Sequence, residues 1–91
     1  MEQTALYSMI SDAGCVVLMF EDHPQFFGNW RAMVRRHQKT LEVVSDRRDG
    51  WLSLWLYESG KGEKLFEVES TRLDQSQELA QIADWLADIP K

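Results

Sequence analysis

Cysteine is nearly absent from this chain: Cys15 stands alone. One thiol closes no internal disulfide, and its setting in Gly14-Cys15-Val16-Val17-Leu18-Met19-Phe20 reads as a buried, inert side chain. Histidine is almost as rare. His23 and His37 lie far apart with no zinc-type ligand spacing around them, so neither a metal nor a cofactor is expected. Long apolar runs are missing too. The longest, Cys15 to Phe20, is strand length, against the ~20 residues of a membrane helix. The opening Met1-Glu2-Gln3-Thr4 has no basic secretory start, which makes a cytoplasmic location the expectation. Glycine is scarce, and Ser59-Gly60-Lys61-Gly62 joins two strands without opening a helix, so it lacks the dipole of a phosphate-binding loop. The carboxylate pairs Glu21-Asp22 and Glu67 with Glu69 read as solvated faces rather than an acid–base couple. These absences leave no catalytic constellation, and the chain reads as a non-enzyme.

What is present is a single globular domain, residues 1–91, with 44% apolar residues and a net charge of −5. Its charge is unevenly spread. Residues 31–48 carry Arg31, Arg35, Arg36, Lys39, Arg47 and Arg48 against Glu42 and Asp46, a basic island in an acidic protein.

Leu6, Met9, Ile10 and Ala13 fall at helical spacing and predict a helix over Thr4 to Ala13, with Gly14 in the left-handed position after it. Cys15 to Asp22 is a near-continuous apolar run, expected as a central strand buried on both faces. His23 to Asn29 breaks it at Pro24, with Phe26 or Phe27 expected to tuck under the sheet. Trp30 to Arg36, Thr40 to Asp46, Trp51 to Tyr57 and Lys64 to Glu69 come next as strands, with a polar turn over Ser59 to Glu63. A two- or four-residue loop before Trp51 sets Leu41 and Val43 on the face of Leu52, Leu54 and Leu56. The four-residue form, Arg47 to Gly50, also keeps Arg47 off that face. Asp74 and Gln77 form an acidic capping box for a last helix. Its stripe is Leu79, Ile82, Leu86 and Ile89, with Trp85 at the margin and Pro90 as the stop. The fold class is α+β: a five-stranded antiparallel meander flanked by an N-terminal and a C-terminal helix.

Trp30, Trp51, Trp55 and Tyr57 share a strand parity opposite to the leucines, and with Arg47 and Arg48 they are the candidate partner-binding residues. Tryptophan, tyrosine and arginine dominate interface hot spots. Whether the N-terminal helix covers the aromatic face is left open by the pattern. If it does not, the apolar patch favours a homodimer formed through the sheet. Arginines and tryptophans on a sheet also raise the alternative of single-stranded nucleic-acid binding. The pI near 4.9 argues against it.

Phe27-Gly28-Asn29 at a strand entry and Asp46-Arg47-Arg48-Asp49-Gly50-Trp51 after a Leu-x-Val-Val strand resemble small bacterial helix–strands–helix proteins of largely unassigned function. Some of these are of the toxin-immunity type. The resemblance covers about Gly14 to Tyr57, and the turn here carries an extra Arg-Asp relative to the tighter Asp-Arg-Gly form. It implies a non-enzymatic protein-binding domain of the immunity or inhibitor type. An acidic, cofactor-free domain would suit a basic partner, since complementary charge speeds encounter.

Overall fold

The computed structural model describes residues 1–90. Its elements run α1 (Gln3–Asp12), β1 (Val16–His23), β2 (Asn29–Arg36), β3 (Lys39–Asp46), β4 (Trp51–Glu58), β5 (Lys61–Glu69) and α2 (Gln75–Ala87). The strands form one open sheet in the order β1-β2-β3-β4-β5, each antiparallel to the next. This is the expected α+β meander between two helices. Among the described residues no helix is long and apolar enough to cross a membrane.

The helix ends reflect local chemistry. The Glu2 carboxylate caps α1 by accepting from the backbone N–H groups of Thr4 and Ala5 at 3.0 and 2.6 Å. Gly14, at φ 78°, then reverses the chain, and the Cys15 N–H donates to the Ile10 carbonyl at 3.0 Å. At α2 the capping box forms as expected: Asp74 accepts from Gln77 N–H at 2.8 Å and the Gln77 side chain accepts from Asp74 N–H at 2.9 Å.

Both helices lie on the same face of the sheet. Leu6 and Ile10 of α1 and Ile82, Trp85 and Leu86 of α2 join Leu41, Val43, Leu52 and Leu54 in one buried cluster. The Glu2 N–H donates to the Gln75 side chain at 2.8 Å and ties the two helix starts together. Trp85, expected at the margin, is buried and stacks on Phe66 with ring centroids 5.7 Å apart.

The four-residue loop before Trp51 is observed, with Asp46 opposite Trp51 and with Leu41 and Val43 opposite Leu56 and Leu54. Three other expectations are corrected. The run starting at Val16 is an edge strand, not a central one, and Val16 and Leu18 are exposed. Only Val17 and Phe20 of this run pack against the core, so the strand is covered on one face rather than two. Phe26 and Phe27 are both exposed, stacked edge to face on each other with centroids 5.2 Å apart. The turn before β5 is only Ser59-Gly60, both at positive φ, so pairing resumes at Lys61.

Both edge strands carry a bulge. In β1 the register slips between Val17 and Met19, and in β5 it slips opposite Leu54 and Trp55, whose partners are Phe66 and Lys64. Each slip inserts one residue and flips the facing of the remainder of the strand. Edge bulges of this kind also discourage pairing with a further strand.

Candidate functional site

With both helices on one side, the other face of the sheet has no covering element among the described residues. Trp51, Ser53, Trp55 and Tyr57 of β4 point to this open face, opposite Asp46, Val44, Glu42 and Thr40 of β3. Trp51 is 43% exposed, and Trp55 and Tyr57 are half-buried. Trp51, Trp55 and Tyr57 are therefore brought together as the sequence predicted.

Trp30 is not among them. It is 2% exposed and sits on the helix-covered face, where Phe20 packs on it at 6.1 Å. The tight β2–β3 turn pairs Arg36 with Lys39, which places Trp30 opposite Ser45, and Ser45 in turn lies opposite Leu52. Trp30 thus belongs to the leucine row, and the small Ser45 leaves room for its indole. Arg47, expected to stay off the leucine face, instead turns to that side: its guanidinium pairs with the buried Glu78 of α2, whose carboxylate is out of water and needs a cation. Arg48 stays in the turn, 5.8 Å from the centre of the exposed Phe27 ring.

The open face also carries a polar network that residue order alone does not reveal. Glu42 is buried although no helix covers it, because neighbouring side chains fold over it. It accepts from Arg31 Nη1 at 2.7 Å and from the Tyr57 hydroxyl at 2.9 Å, while Arg31 Nε donates to Glu21 at 3.0 Å. This line of charge crosses β1 to β4 diagonally. The hydrogen bond to Glu42 pushes the Tyr57 phenol pKa up, and desolvation adds to that shift. The hydrogen bond from Arg31 lowers the Glu21 carboxyl pKa, against a smaller opposing effect of desolvation. The same two carboxylates raise the Arg31 pKa, so its charge is permanent. A lone carboxylate between Leu41 and Val43 was the available signal. Its partners become readable only once the strand register is known.

Around the tryptophans the details are equally specific. Trp55 Nε1 donates to Ser53 Oγ at 3.0 Å, and Lys64 Nζ lies 5.6 Å from the Trp55 ring centre while pairing with Glu67 at 2.8 Å. Tyr57 lies over Gly62, where a Cβ would come within 2.9 Å of its ring, so a side chain there would displace the phenol. Glu42, Val44, Asp46, Trp51, Ser53 and Trp55 are among the residues lining a shallow concavity of about 310 Å³.

A larger groove, about 650 Å³, runs between α1 and α2. Its walls are mostly small, from Ala5, Ala13, Ala83 and Ala87. Its one guanidinium, Arg36, donates to the carbonyls of Ala13 and Ile89 at 2.9 and 3.3 Å. Arg36 thus stitches the helix ends to β2 and is already engaged. Among the described residues, no three of His, Cys, Asp and Glu gather as metal ligands.

No family model, curated protein or solved structure matches the chain. The resemblance seen in Phe27-Gly28-Asn29 and Asp46 to Trp51 rests on those motifs alone.

Proposed function

We propose that this chain is a non-enzymatic protein-binding domain of the immunity or inhibitor type, with the open sheet face as its interface. The observation that carries this reading is the placement of both helices on one side, which leaves Trp51, Trp55 and Tyr57 uncovered. Contiguous aromatic surface of this kind on a soluble domain marks interaction sites. The face is also pre-ordered. Glu42, Arg31 and Tyr57 hold one another in place, so little side-chain entropy is lost when a partner docks. Phe26, Phe27 and Arg48 extend apolar and cationic surface at the end of the sheet from which Trp51 starts. Without a partner, the same face is available for two-fold self-association.

Charge weighs against the nucleic-acid alternative at this face. The indoles that would stack on bases lie beside Asp46, Glu67 and Glu69, and Arg31 is committed to Glu21 and Glu42.

The test starts from gene neighbourhood: a toxin-like gene directly upstream favours the reading, and its product is then co-expressed with this chain. Wild-type protein should restore growth, and Trp55→Glu, shown to be folded by circular dichroism, should not. Wild-type protein that gives no protection, or a Trp55→Glu variant that protects fully, would overturn the reading.

A further inference from the structure

The open face holds two neighbouring tryptophans, and the structure treats them differently. Trp55 has an ammonium beside it: Lys64 Nζ is 5.6 Å from its ring centre and is held by Glu67 at 2.8 Å. This is a complete aromatic–cation–carboxylate arrangement built from the chain itself. Trp51 has the same ingredients without the cation. It is flanked directly across the sheet by Asp46 of β3 and Glu69 of β5, and its indole is 43% exposed.

Both flanking carboxylates are set in place. Asp46 Oδ1 accepts from the backbone N–H groups of Arg48 and Asp49 at 3.1 Å each, and Glu69 accepts from the Thr71 N–H at 3.2 Å. The bonds from the Thr71 side chain and backbone lower the Glu69 pKa, and Arg72 assists at longer range. Glu69 is therefore ionised at neutral pH. Among the described residues neither Asp46 nor Glu69 makes an ion pair with a lysine or arginine. An exposed indole between two oriented carboxylates, beside a concavity of about 310 Å³, attracts a cation by ring quadrupole and by charge together.

We propose that Trp51, Asp46 and Glu69 form a receptor for a lysine or arginine side chain presented by the protein partner. This receptor rests on the protein-binding reading and gives the chemistry of the partner at that face. Lys64 on Trp55 is its internal template. It also accounts for an acidic domain exposing tryptophan beside unpaired carboxylates: the complementary charge is supplied from outside.

The probes are capped tripeptides with lysine, arginine or glutamine at the centre, titrated into ¹⁵N-labelled protein and read at the indole N–H resonances. The lysine and arginine peptides should shift the Trp51 indole saturably in about the millimolar range, and the glutamine peptide should not. The double variant Asp46→Asn/Glu69→Gln should weaken that response by about three- to tenfold. Lys64→Gln should make the Trp55 indole respond to the lysine peptide as well, because it empties the template. An equal response to the glutamine peptide, no saturable shift at Trp51, or an undiminished response in the double variant would overturn the receptor. A failure here leaves protection by co-expression intact, since that assay reads the whole face. Loss of protection with a normal Trp51 response would instead strike the protein-binding reading.

Discussion

Arg47 and Glu78 form an ion pair that pins the β3–β4 turn to helix α2, with the Ser45 hydroxyl donating to the same carboxylate at 2.9 Å. Glu78 is fully buried on the helix-covered side, and Arg47 is 35% exposed. Arg47→Ala would leave a buried carboxylate without its cation. We expect it to destabilise the domain by about 2–4 kcal/mol, the lower end reflecting the partial exposure of Arg47. Arg47→Met combined with Glu78→Met should cost less than Arg47→Ala alone, because the uncompensated charge is removed as well. Urea unfolding of the wild type and the two variants measures this; a loss in the double variant as large as that of Arg47→Ala, or larger, would sink the assignment.

Trp30 sits in the core with its indole N–H facing no acceptor among the described residues. A buried donor without a partner costs about 1–3 kcal/mol, whereas the ring itself contributes by packing. Trp30→Phe is therefore expected to change stability by less than about 1.5 kcal/mol. Trp30→Ala should cost about 3–5 kcal/mol. A loss for Trp30→Phe as large as that for Trp30→Ala in thermal or urea unfolding would overturn the view that ring packing, not the N–H, is what Trp30 contributes.

Glu42 raises the pKa of the Tyr57 phenol, so Glu42→Gln should bring that pKa down toward the ordinary tyrosine range. Tyrosinate absorbance against pH reads the shift, and Tyr57→Phe identifies the responsible group. Linkage sets the sign for stability. A group with a raised folded-state pKa contributes fully below its unfolded pKa and loses that contribution as pH rises through the folded value, so the Glu42–Tyr57 bond weakens the fold only on the alkaline side. Glu21 behaves in the opposite sense. Its lowered pKa gives stability present above the unfolded carboxylate value and lost as pH falls through the folded one. Arg31→Met should flatten the acid limb of the stability profile and leave the alkaline limb driven by Tyr57.

Two copies pairing through the open face would bury Trp51, Trp55 and Tyr57. Light scattering should then report a dimer at tens of micromolar, and Trp55→Glu should give folded monomer. Monomeric wild-type protein would mean that the face is kept for a different protein.

Short single-stranded oligonucleotides should leave tryptophan fluorescence unchanged at low salt, given the carboxylates beside Trp51 and Trp55. Saturable quenching would revive the nucleic-acid alternative.

Much of this architecture was legible in residue order. Leu6, Ile10, Ile82 and Leu86 lie at helical spacing, Asp74 and Gln77 form the capping box, and the leucine parity of β4 marks the core face. These are local patterns whose meaning does not depend on distant neighbours. The strand order was readable too, because short polar turns leave a meander little choice. Facing was a different matter wherever a single slip in register reverses it. Alternation alone would send Lys64 inward with Phe66 and Val68, yet the bulge at Leu65 turns it out onto Trp55. Trp30 has the composition of an interface residue, but the two-residue turn after Arg36 commits it to the leucine row. Glu42, Arg31 and Tyr57 come from three strands and meet only when both intervening registers are set. Composition and periodicity determined the elements, their order and the aromatic content of β4. Only the tertiary structure decided that both helices share one face, leaving those aromatics uncovered, because that choice depends on which side each helix finds more apolar surface to bury.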